Sequence, residues 1–102
     1  MFILRRIAGD SMTPALRPGQ LVLAVRVGRS WRGLGRLLRV RPGQVVILRH
    51  DGLEKIKRVS RTRSGQVFVV GDNADASTDS RQFGWLSLDD VDAVVLWPMR
   101  NQ

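Results

Sequence analysis

At 102 residues the chain has the length of one domain, able to bury about 60 to 70 percent of its unfolded surface, and the absence of cysteine excludes disulfide frameworks and thiolate chemistry. A single histidine leaves no structural zinc site to expect. The formal charge of +8 is concentrated: Arg26 to Arg63 holds twelve Lys and Arg against Asp51 and Glu54, which suits nucleic acid, anionic lipid or an acidic partner, beside the plainer reading of a solvated face.

The opening MFILRRIAG is too short for a signal peptide, and no element is assigned to it. The next stretch, GDSMTPALRPGQ (residues 9–20), sets a lone serine between Gly9-Asp10 and Met12, then ends in the turn Arg17-Pro18-Gly19-Gln20. That turn recurs at Arg41-Pro42-Gly43-Gln44 and, with Ser for Pro, at Arg63-Ser64-Gly65-Gln66. Pro then Gly fits the two central positions of a type II turn, and the apolar runs that follow (LVLAV, VVIL and VFVV) read as buried strands. A fourth strand, LEKIKRV at 53–59, pairs with VVILRH through the Asp51-Gly52 hairpin signal, and a fifth, AVVLWP at 93–98, is closed by Pro98. Ser87 caps a short turn over Leu88 to Val91. Two stretches fall outside this scheme: residues 28–40 (GRSWRGLGRLLRV), an arginine-rich insertion or loop, and residues 71–84 (GDNADASTDSRQFG), a polar loop. The expectation is one mainly β domain over residues 1–102, a compact folded sheet or barrel of five or more strands.

A serine becomes a nucleophile when a neighbouring base takes its proton. His50, the one histidine, sits beside the Asp51-Gly52 turn, where exposure is expected, so it is a poor triad member. Lysine does the same work when burial leaves its amine neutral. The chain uses fifteen Arg and only Lys55 and Lys57, both on the fourth strand and on one face with Leu53 and Val59; parity does not say which is buried, and both also suit solvated edge charges.

GDSMTPALRPGQ resembles the nucleophile box of the type I signal peptidase family at Gly9, Ser11, Met12, Pro14, Leu16 and Gly19. IKRV at 56–59 resembles the box bearing that family's general-base lysine, and GDNADASTDSRQFG resembles its third box at nearly every defining position. RPGQVVILRH, between them, resembles the intervening strand. The resemblance implies the fold shared by signal peptidases and the self-cleaving SOS repressors, and a serine endopeptidase with a Ser/Lys dyad, in which Ser11 attacks and Lys57 takes the proton. It implies that Ser77 orients the lysine amine, that Asp79 and Arg81 form a supporting ion pair, and that Gly71, Asp72 and Asn73 shape the turn beside the dyad. Around the oxyanion the Ser11 N–H is one donor; many relatives supply a second from a hydroxyl two residues earlier, where this chain has Gly9. Met12 packs under the substrate groove or serves as a core methionine. Plainer roles stay open for the others: Ser77 as a turn cap, and Asp79 to Arg81 as an exposed contact worth at most ~1 kcal/mol.

The expected partner is a precursor protein with an N-terminal leader, cut after small residues; no metal or organic cofactor is implied. The short length and RPGQVVILRH also resemble the branch of the family that matures nickel-containing superoxide dismutase. A chain starting ten residues before its serine is either naturally anchorless, which Met1 favours and which implies a cytoplasmic or membrane-peripheral protein, or lacks a membrane anchor. Trp31, Leu34, Leu37 and Leu38 among arginines suggest peripheral docking of 28–40 on anionic membrane. Two alternatives remain, a nucleic-acid-binding β-barrel, for which the basic stretch offers only Trp31 for base stacking, and an inactive peptide-binding relative.

Overall fold

A computed structural model describes residues 1–27 and 40–98. Seven strands appear: β1 (Phe2–Arg6), β2 (Leu21–Arg26), β3 (Val45–His50), β4 (Leu53–Arg63), β5 (Gln66–Val70), β6 (Leu86–Ser87) and β7 (Val91–Trp97). They form one antiparallel sheet in the order β1-β2-β7-β3-β4-β5-β6. The chain is thus mainly β, as expected, and the sheet is folded rather than closed, with β1 and β6 at its two edges.

The five expected strands are present, and Ser87 does cap a short 3-10 turn, Leu88–Asp90, by accepting from the Asp89 N–H at 3.1 Å. The hairpin between β3 and β4 turns on Asp51 and Gly52, both at positive φ, 53° and 74°, as a type I′ turn demands. β1 and β6 were not expected. β1 reads Phe-Ile-Leu-Arg-Arg, without strict alternation, and becomes a strand because pairing with β2 turns Ile3 inward onto Ala24, Ile47 and Ala93. β6 is only two residues long, below what a sequence pattern can register.

Position in the sheet explains the sequence of β3. Val46, Ile47 and Leu48 are all fully buried, so both faces of this central strand are covered. Val46 and Leu48 join Val59, Val67, Val69, Leu86 and Val94 on one face; Ile47 packs with Ala24 and Ala93 on the other. A third group, Ile7, Met12, Leu16 and Val22, anchors the long β1–β2 connection to the sheet. That connection is closed at its base by two bonds, Ile7 N–H to Gln20 O and Gly19 N–H to Ile7 O, each 2.8 Å.

His50, expected to be exposed, has a side chain only 21% exposed, because its ring stacks on Phe83 with centroids 3.9 Å apart. The expected polar loop at 71–84 holds local structure: a 3-10 turn, Ala74–Ala76, and a one-turn helix, α1 (Ser80–Phe83). Of the 28–40 stretch, only Val40 is described, packed against the core; the expected membrane contact of this stretch lies outside the described residues. No helix among the described residues is long and apolar enough to cross a membrane.

Candidate active site

β4 enters the core at Lys57, whose cross-strand neighbour is the fully buried Val46. Here the structure separates the two lysines that share a face: Lys57 is 5% exposed, whereas Lys55, nearer the hairpin, is only half-buried. The Lys57 amine donates to Ser77 Oγ at 3.0 Å, and the Ser77 hydroxyl donates to Asp79 Oδ2 at 2.6 Å.

Asp79 is fully buried and heavily bonded. Its Oδ2 also accepts from Gly71 N–H at 2.7 Å and Arg81 Nη2 at 2.6 Å, and its Oδ1 accepts from Arg81 N–H and Nε, both at 3.0 Å. Asp79 is at the same time the N-cap of α1, and Gln82 returns a bond to its N–H, which completes a capping box. The helix start therefore fixes the carboxylate. Burial opposes the charge on Asp79, but hydrogen bonds from Arg81, Ser77 and Gly71 outweigh it and hold the carboxyl well below the usual range.

The loop that presents Ser11 is tied to this cluster through backbone. Asn73 N–H donates to Ser11 O at 2.8 Å, and its side-chain amide donates to Thr13 Oγ1 at 3.1 Å. Gly71 stands between the two parts: a Cβ there would come within 2.6 Å of Ser77 Cβ and 2.7 Å of Ser11 O, so only glycine lets the segments meet. Asp72 is held by a bidentate pair with Arg58, 2.8 Å at both oxygens.

Ser11 and Lys57 line one cleft of about 340 Å³, with Ile7, Ala8, Met12 and Ile56 giving it an apolar wall. Met12 is 1% exposed in the core and also lines the cleft. Gly9 adopts a left-handed φ of 77° at the entry to the Ser11 turn and supplies no side-chain donor. Burial is the main influence lowering the Lys57 amine below an ordinary lysine; Asp79 pulls the other way, and the positive charges of Lys55 and Arg81 add to the lowering. Such an amine is able to accept a proton from a hydroxyl. Lys55, the other lysine of the sequence analysis, also lines the cleft, as does Thr78, which was missed because nothing in the sequence marks it apart from any other threonine. Among the described residues no three His, Cys, Asp or Glu side chains gather to hold a metal ion.

A family described as signal peptidase, peptidase S26, matches residues 49–99, a segment that contains Lys57, Ser77, Asp79 and Arg81, with Ser11 lying before it. No curated protein matches the chain.

Proposed function

The chain belongs to the signal peptidase family, peptidase S26, and on that premise we propose that it is a serine endopeptidase that uses Ser11 as nucleophile and Lys57 as general base to remove an N-terminal leader from a precursor. The observation that carries this reading is the buried Lys57 amine, aimed by Ser77 in a cleft that Ser11 also lines.

With a neutral Lys57, the Ser11 hydroxyl gives up its proton to the amine as its oxygen attacks the scissile carbonyl. In this reading the Ser11 N–H bonds the developing oxyanion, and Gly9 offers no side-chain hydroxyl as a second donor. Lys57, now charged, returns its proton to the leaving amine, and the Lys57 amine, neutral again, then activates the water that releases the acyl group from Ser11. Ser77 stands between the ammonium and Asp79, so the carboxylate orients the amine without direct contact. Because Arg81 shares that carboxylate, Asp79 does not hold the proton on Lys57 as strongly as a free anion would.

The small, apolar wall of Ile7, Ala8 and Ile56 suits small substrate side chains. The experiment is incubation of the chain with a leader-bearing precursor and mass spectrometry of the products. Wild type gives one cut, and Ser11→Ala and Lys57→Met each reduce the rate by at least about a thousandfold while retaining the far-ultraviolet spectrum of the folded chain. Undiminished cleavage by either variant rejects the dyad.

A further inference from the structure

The charges around the cleft are not balanced. Four charged residues other than Lys57 bear on it: Arg5, Arg6, Glu54 and Lys55. Glu54, the one carboxylate in the lining, is already engaged by Arg5, whose Nε lies 2.8 Å from its Oε2. Arg6 donates to the Gly19 carbonyl at 2.6 Å, a bond that orders the guanidinium without neutralising it. Lys55 has aromatic company instead of a counter-ion: its amine lies 3.4 Å from His50 Nδ1 and 5.0 Å from the centroid of the Phe83 ring. Asp51 approaches the same His50 nitrogen, its Oδ2 lying 3.9 Å from Nδ1, but its side chain is 85% exposed and it forms no ion pair with Lys55 among the described residues. Among the described residues Lys55 makes no ion pair.

A half-buried ammonium fixed over a ring, two residues along the strand from the proposed base and with no carboxylate of its own, is a preformed receptor for a carboxylate brought by something else. We infer that the peptide accepted by this cleft carries an aspartate or glutamate beside its scissile bond, and that Lys55, with Arg6 in support, is the residue that reads it. Main-chain bonds to an extended peptide are blind to sequence and the apolar wall selects only for size; Lys55 adds selection by charge. The inference rests on the peptidase reading for its substrate, but the charge selection is a property of binding.

The test uses a set of extended decapeptides of alanine and serine that carry a single Asp at each position in turn, with Asn and Lys twins. Binding is measured by fluorescence anisotropy on the Ser11→Ala chain, and cleavage on the chain with Ser11 intact. At one position the Asp peptide binds, and is cut, about fivefold better than its Asn twin and better still than its Lys twin. The margin shrinks as salt rises to about 0.5 M. Lys55→Gln erases it, and Lys55→Glu reverses the order in favour of Lys; thermal melts of both variants confirm that they fold. Equal binding of Asp and Asn twins at every position, or a preference that survives in Lys55→Gln, overturns the inference even if cleavage is robust. Lys55-dependent binding of the Asp peptides without cleavage leaves it standing and counts against the dyad instead.

Discussion

Asp79 bears more of the site than any other single residue, since it joins Ser77, Gly71, Arg81 and the start of α1 through one carboxylate. Asp79→Asn removes a charge that Arg81 still needs. The loss is about 2 kcal/mol in urea unfolding, below the ~3–5 of a fully buried pair because the Arg81 side chain is 38% exposed. The same change withdraws the one influence that raises Lys57, so the acid limb of kcat/KM moves to lower pH even as the rate falls. In the wild type, activity is expected to decline as acid protonates Lys57, on a limb below the titration of an ordinary lysine. Gly71→Ala forces Ser77 and the Ser11 carbonyl apart. The expected result is a loss of activity of about a hundredfold or more with a much smaller change in thermal stability. Assays and melts on the two variants check both statements.

At the level of elements, the Ser11 connection hangs from the β1–β2 hairpin, while Lys57 and the 71–84 segment belong to β3 through β6. Within the sheet the two groups are joined only by β7, which pairs with β2 on one side and β3 on the other. Val94→Pro, at a point where β7 meets both Val25 and Val46, removes a ladder donor in a central strand. It costs about 3 kcal/mol or more and abolishes cleavage although no site residue is touched, as equilibrium unfolding and the precursor assay would show. Strands whose turns carry Pro-Gly or Asp-Gly were legible in the sequence because the turn chemistry and the Val-rich runs agree. β1 was not, since an edge strand with Phe2 and Leu4 exposed shows neither the alternation of a half-buried strand nor the Val-rich run of a buried one. For the site, the boxes point to Ser11, Lys57, Ser77, Asp79 and Arg81, and the structure brings the last four into one hydrogen-bonded chain. Strand parity could not separate Lys55 from Lys57, because what distinguishes them is the segment folded over Lys57, a tertiary fact.

Over the whole molecule, the site sets how stability depends on pH. The folded state lowers Asp79, so that group stabilises above the ordinary carboxyl range and the contribution is lost as pH falls through and below it. Lys57 is lowered too, which for a lysine has the opposite sense: folding disfavours the ammonium, so the group destabilises at pH below an ordinary lysine's titration, and stability is regained as pH climbs towards it. Lys57→Met is therefore expected to melt higher than wild type near pH 6, with the gap closing near pH 10, in calorimetric scans across that range. The position of β7 has a further meaning for synthesis. A ribosome releases the Ser11 hairpin first, Lys57 later, and the strand that unites them after both. Ser11 and Lys57 are thus not held in one sheet until β7 has been made, and the proposed protease is expected to gain activity only then.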